Sequence, residues 1–183
     1  GWGVGIHPDV TRANDPTKQE GDKRSPAGLF RIGSSYGYGD SLPVESGIDY
    51  MQSKASLRCV DDASSVYYNK IIDEASVSAD WSSAEYMKPR HPLYELLVTI
   101  DHNNLVPSKA TAVQPAPVSG AGSCVFFHLW RRLSKPTLGC TAMSKERLVE
   151  LIAWLDEGRE PLALFLTKDR YLELQESWEL PNL

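Results

Sequence analysis

His128 and Cys140 are the two residues whose types and spacing could do chemistry. The histidine closes an apolar run, Cys124-Val-Phe-Phe127, and the cysteine follows Gly139. A polar, Pro-containing loop joins them, Leu129-Trp-Arg-Arg-Leu-Ser-Lys-Pro-Thr-Leu-Gly139. A thiol attacks as the thiolate, and with an ordinary pKa near ~8.5 only a few per cent is ionised at neutral pH. An imidazole titrates close enough to neutrality to take that proton. Glycine permits a sharp turn before the thiol, so the amides around Leu138, Gly139 and Cys140 could converge on one point. Such an oxyanion hole is worth roughly 10²–10³ in the rate of acyl transfer. Taken singly, a histidine at a strand end reads as a satisfied core residue and a lone cysteine as a small buried one. Their combination points to cysteine nucleophilic catalysis.

The residues around the pair have two readings each. Arg131 carries a planar fork suited to a substrate carboxylate, with Trp130 as an apolar wall; the alternative is a solvated loop arginine. His102, in Asp101-His-Asn-Asn104, could face the same cleft or belong to a polar turn. Tyr67, Tyr68 and Trp81 could line the groove or simply pack. Asp61 and Asp62 read as turn formers or as partners for Arg24. His7 and His91, both followed by proline, read as turn positions.

These residues must be held by strands. The apolar run 122–129 reads as a buried strand, as does Leu93-Tyr-Glu-Leu-Leu-Val-Thr-Ile100, the clearest in the chain. Leu29-Phe-Arg-Ile32 and Arg58-Cys-Val-Asp-Asp62 are shorter strands, and Gly28 marks a bend or close backbone approach. Residues 34–56 read as a long loop, and residues 80–88 as a helical turn capped by Asp80 or Ser82 or as a covering loop. Ser144 is a good N-cap for a helix whose Leu148, Leu151, Ile152 and Leu155 share one face and which ends at Gly158. Leu162-Ala-Leu-Phe-Leu166 reads as a strand, and a last helix starts at Thr167 or Asp169 and runs through Trp178. The reading is a mainly β, α+β chain with few helices.

Size and composition bound the rest. The 183 residues suit one domain, 1–183, with a substantial core; 42% are hydrophobic and 23% charged. A formal charge of −5 and the absence of a basic stripe argue against nucleic acid as a partner. Arg131, Arg132 and Lys135 form the nearest thing to a basic cluster, better matched to a small acidic substrate. No apolar stretch approaches the ~20 residues that span a bilayer. The chain opens at Gly1-Trp-Gly-Val-Gly5 without a signal peptide, as a processed chain does. Cys59, Cys124 and Cys140 lack metal-ligand spacing, so no metal is expected. Cys59 and Cys124 could pair in an oxidising compartment; two small buried thiols are the favoured reading.

Two separated stretches resemble one family in the right order. His128 through Thr137-Leu-Gly-Cys140 is similar to the active-site signature of the L,D-transpeptidase (YkuD-type) catalytic domain, and Gly21-Asp-Lys-Arg-Ser-Pro-Ala-Gly-Leu-Phe30 is similar to its G-D-x-x-T/S-P-x-G-x-F segment. The resemblance covers roughly residues 20–166 and is closest to a divergent bacterial branch carrying Cys-Val-Asp-Asp and Asp-Trp-Ser-Ser-Ala-Glu segments. It implies a β-sandwich or barrel-like catalytic domain, peptidoglycan stem peptides as substrate, no cofactor and a periplasmic or secreted location; the oligomeric state is left open, with a monomer favoured. Residue by residue it implies Cys140 as nucleophile, His128 as base, and Gly139 and Cys140 with Leu138 as oxyanion amides. The backbone carbonyl of Leu129 would orient the histidine. Substrate contacts, read from the residues themselves and not from the family, would come from Arg131, Trp130, His102 and Tyr68. The sequence departs at Leu138, where many members carry histidine, at Thr141-Ala142, and in its short His-to-Cys loop. Those departures bear on the acceptor side, so L,D-carboxypeptidase or amidase hydrolysis, or a wall-binding module without catalysis, stand as alternatives. The family also has one or two strands before its Gly-Asp segment, which residues 1–10 would have to supply.

Overall fold

Strand alternation sorts the apolar residues onto two faces of one central sheet, and that sorting places His128. In a computed structural model describing residues 2–4, 12, 14–105, 115–132 and 135–183, the strands are β1 (Trp2–Val4), β2 (Ser25–Gly37), β3 (Tyr50–Gln52), β4 (Leu57–Val60), β5 (Ile71–Asp73), β6 (Ala84–Tyr86), β7 (Leu96–Ile100), β8 (Phe126–Leu129), β9 (Thr141–Met143) and β10 (Leu162–Phe165). Helices α1 (Lys145–Trp154) and α2 (Lys168–Leu174) complete the regular structure with short 3₁₀ turns. The larger sheet runs β1-β2-β7-β8-β9, with β3 and β10 also on β2, and β5-β4-β6 form a second sheet. The mainly β, α+β expectation holds, although the larger sheet stays open rather than closing into a barrel.

β7 is buried along its whole length because both of its faces are covered. Leu96, Val98 and Ile100 meet Phe127 and Leu129 of β8 and Leu148, Ile152 and Leu155 of the α1 segment. Leu97 points the other way, joining Phe126, Tyr36, Tyr94, Met87 and the disulfide cysteines. β8 therefore sends Phe127 and Leu129 under α1, and Phe126 and His128 to the side facing the smaller sheet.

β2 is a long bent strand that serves several neighbours. Its first half pairs with β1 in parallel and with β10, and its second half pairs with β7 and β3. The register against β7 shifts between Ile32 and Ser35, and the resulting bulge bends the strand. Gly28 lies inside the strand with φ of 150°, paired with Phe165 of β10. Residues 2–4 thus supply an edge strand before the Gly-Asp segment.

Several expectations are corrected. Residues 34–56 are not one loop: β2 continues to Gly37, and β3 adds to it in parallel. Residues 84–86 form β6 rather than a helical turn. Asp62 accepts hydrogen bonds from the Ser82 amide (2.8 Å) and hydroxyl (2.7 Å), which ties the segment down, and the free edge of β4 then takes Ala84–Tyr86 as a partner. Asp62 is accordingly a turn former, and the Arg24 amide goes to Asp22 Oδ1 at 2.9 Å. α1 stops at Trp154, not Gly158, because Asp156 caps a separate 3₁₀ turn through the Gly158 amide at 2.9 Å. α2 ends at Leu174, short of Trp178. The strand expected at 93–100 begins at Leu96, after a 3₁₀ turn over Pro92–Tyr94.

The favoured pair of free thiols is also overturned. Cys59 on β4 and Cys124 before β8 form a disulfide with a Cα–Cα distance of 6.0 Å, across 65 residues of sequence. No spacing in the chain announces it, since the two sheets must pack before the cysteines meet. Closing a loop of that length stabilises by about 4 kcal/mol on a chain-entropy account. Reduction under native conditions is expected to lower the denaturant midpoint accordingly, as followed by tyrosine and tryptophan fluorescence.

Candidate active site

β9 lies parallel to β8 with Ala142 beside His128 and Thr141 beside Phe127. By that register Cys140 stands level with Phe126, on the face that also carries His128. Cys140 and His128 are thus diagonal neighbours, roughly 8 Å apart at Cα from strand geometry, well within the reach of their side chains. They open on one cleft of about 270 Å³, lined also by Glu85, Leu93, Tyr94, Trp130, Arg131, Lys135, Pro136, Thr137, Leu138 and Ala142.

His128 is buried and its tautomer follows from its partner. Nδ1 lies 2.8 Å from the carbonyl oxygen of Leu129. A carbonyl can only accept, so Nδ1 carries the proton and Nε2 keeps a lone pair. Burial lowers the pKa of His128 below its usual 6.5, with the bond to Leu129 opposing. The Tyr94 ring stands edge-on to the imidazole, with centroids 5.5 Å apart. The result is a neutral imidazole with a free nitrogen.

Cys140 is the one cysteine outside the disulfide. Its thiol donates to the Cys124 carbonyl at 3.3 Å, and its sulfur accepts from the Phe126 amide at 3.4 Å. Burial pushes the thiol pKa up, and the Glu85 carboxylate adds to that push. The resting pair is therefore thiol and imidazole, both uncharged, with no hydrogen bond between them. Proton transfer between the two would require the sulfhydryl to swing from the Cys124 carbonyl toward His128.

The turn that presents Cys140 depends on Gly139. Its φ is +140°, and a Cβ there would come within 2.9 Å of the Arg24 carbonyl oxygen. Arg24 belongs to the Gly21–Phe30 stretch, so the two separated sequence matches meet beneath Cys140. Asp22 braces that stretch: burial resists its ionisation, yet the Lys18 ammonium and the Gln19 and Arg24 amides outweigh burial and hold its pKa below the usual value. Thr137 Oγ1 closes the turn by donating to the Cys140 carbonyl at 2.6 Å. The Gly139 amide reaches Thr137 Oγ1 at 3.5 Å, the outer limit of a hydrogen bond, so this turn does not hold it firmly. Gly139→Ala is expected to cut the rate of Cys140 acylation by 10²-fold or more, measured by mass spectrometry, because the backbone must shift by several tenths of an ångström to admit the methyl group.

Trp130, Arg131 and Leu138 all line the cleft, but His102 and Tyr68 do not. His102 is 1% exposed, with Nε2 2.9 Å from the Ala121 carbonyl oxygen and its ring edge-on to Phe30. Tyr68 donates to Glu20 at 2.7 Å and accepts from the Gly122 amide at 3.0 Å, which fixes it in the interior. Both are corrections to the reading that they contact substrate. Tyr67 and Trp81 pair edge to face at 5.6 Å, away from the cleft. His91 stands at the N-terminal position of the turn over Pro92–Tyr94 without a side-chain capping bond; burial lowers its pKa and the nearby Arg131 lowers it further. His7 lies outside the described residues.

Glu85 and Tyr94 are cleft residues that the sequence did not single out. The Tyr94 hydroxyl donates to Glu85 Oε2, and burial raises the Glu85 pKa to about 7 against the help of that bond. The one available signal was the position of Glu85 inside Asp80-Trp-Ser-Ser-Ala-Glu85. Nothing marked it as facing the thiol.

An open, mainly β fold with a thiol and an oriented imidazole facing one cleft has the parts of a cysteine acyl-transfer protein. Among known families, that of the L,D-transpeptidase catalytic domain, YkuD, matches residues 3–163, and the chain belongs to it. Neither the curated proteins nor the solved structures returned a match. No described helix is long and apolar enough to cross a membrane.

Proposed function

We propose that this chain is a peptidoglycan L,D-transpeptidase with Cys140 as nucleophile and His128 as general base. The observation that carries this reading is the shared face of Cys140 and His128, with Nδ1 committed to Leu129 and Nε2 left to accept a proton. Sγ attacks the stem-peptide carbonyl between the diamino acid at position three and the D-residue at position four, while the thiol proton passes to Nε2. The carbonyl oxygen becomes an oxyanion, and the amides at Leu138, Gly139 and Cys140 are assigned as its donors. Collapse breaks the C–N bond, His128 returns the proton to the departing amine, and D-alanine leaves a thioester on Cys140. An amine from a second stem then forms a 3→3 crosslink, water gives L,D-carboxypeptidase activity, and a free D-amino acid gives exchange.

The Cys59–Cys124 disulfide supports a periplasmic or secreted site of action, since such bonds persist in oxidising compartments. Intact-mass analysis after mixing with tetrapeptide muropeptides tests the reading. A thioester adduct on Cys140 with release of D-alanine is the expected product; an unmodified protein rejects it. Muropeptide dimers in the same mixture separate transfer from hydrolysis.

A further inference from the structure

The cleft carries unlike charges on its two walls. Glu85, on β6, supplies a carboxylate; Arg131 and Lys135, on the loop after β8, supply cations. Among the described residues none of the three makes an ion pair with another. Glu85 is held in place by the Tyr94 hydroxyl. Asp61 and Glu20 stand close enough to Glu85 to oppose its ionisation, and Asp61 Oδ1 is buried without a hydrogen-bond partner. Glu85 is the one carboxylate among the described residues that line the cleft, and Tyr94 fixes where it sits. The mechanism above uses none of these groups.

We propose that Glu85, positioned by Tyr94, is the specificity residue that binds a non-reacting ammonium group on the donor peptide, while Arg131 and Lys135 take a carboxylate of the same unit. The inference rests on the stem-peptide reading and deepens it. The ammonium is assigned to the donor for a chemical reason. An acceptor amine must lose its proton before attacking, so a carboxylate that held it as a cation would slow transfer. A donor ammonium that stays intact throughout gains from the ion pair in every step. A charge-assisted contact of this kind is worth roughly 10- to 100-fold in affinity.

The test uses the Cys140→Ala protein, which binds without reacting, and calorimetry with two ligands: a tetrapeptide muropeptide with a free side-chain amine and the same compound N-acetylated there. The free amine is expected to bind about 10- to 100-fold more tightly, and Glu85→Gln, which can still accept from Tyr94, is expected to erase the difference. The groups facing Glu85 are Tyr94, Asp61, Glu20 and Cys140. With Cys140 absent and the Glu85 pKa near 7, affinity for the free amine should weaken roughly tenfold from pH 8 to pH 6, as the carboxylate takes a proton. That slope should vanish in Glu85→Gln. Equal affinities for the two ligands, binding of neither, or a preference that survives Glu85→Gln would overturn the proposal. The ligand pair itself tests it if Glu85→Gln does not fold. Failure of the transpeptidase reading shows separately, as a missing adduct on the unmutated protein.

Discussion

Cys140→Ala is expected to abolish acyl transfer and leave the fold in place. The substitution removes one sulfur atom and two weak hydrogen bonds, to the Cys124 carbonyl and the Phe126 amide. It does not touch the disulfide, so the cost in stability should be about 1 kcal/mol. The chemical cost is of another order, because no other free thiol exists in the chain. The unmutated protein should take up one equivalent of iodoacetamide when native, at Cys140, and the variant none. Intact mass after incubation with muropeptide should then show an adduct on the first and not on the second. Residual turnover above background in Cys140→Ala would reject the assignment.

His128→Ala comes next in size, with an expected loss of roughly 10²–10⁴ in the acylation rate. Its signature is the pH profile. Burial lowers the His128 pKa, so the acid limb of the unmutated protein should have its midpoint below 6.5. Activity is present above that midpoint, where Nε2 is unprotonated, and falls as pH drops through it. Because burial and Glu85 push the Cys140 thiol up, the variant has no ready thiolate at neutral pH. Its slow rate should lose the acid limb and climb with pH into the alkaline range. A variant that kept the original acid limb would show that another group supplies the base.

His128 and Cys140 were legible because each sits at the edge of a strongly patterned element. The apolar run before the histidine and the glycine before the cysteine are local signals, read within a few residues. Trp130, Arg131 and Leu138 came with them as members of the same loop. Glu85 and Tyr94 were not legible, for they enter from segments some tens of residues upstream, and β6 has no pattern of its own: it is a strand because β4 offers an edge. His102 and Tyr68 were misplaced for the converse reason. Polar residues beside a good strand look available until burial and their partners, Ala121 and Glu20, are known.

By itself the sequence determined the mainly β class, the α1 segment with its Ser144 cap, and a thiol and imidazole close in the chain. All of these follow from periodicity, capping and turn chemistry, which act over a few residues. Tertiary structure alone decided which face of β8 His128 occupies, which carbonyl sets its tautomer, that Cys59 meets Cys124, and that a carboxylate lies beside the thiol. Those outcomes depend on strand register and on the packing of one sheet against another. A shift of one residue in register would turn His128 into the core under α1 and away from Cys140.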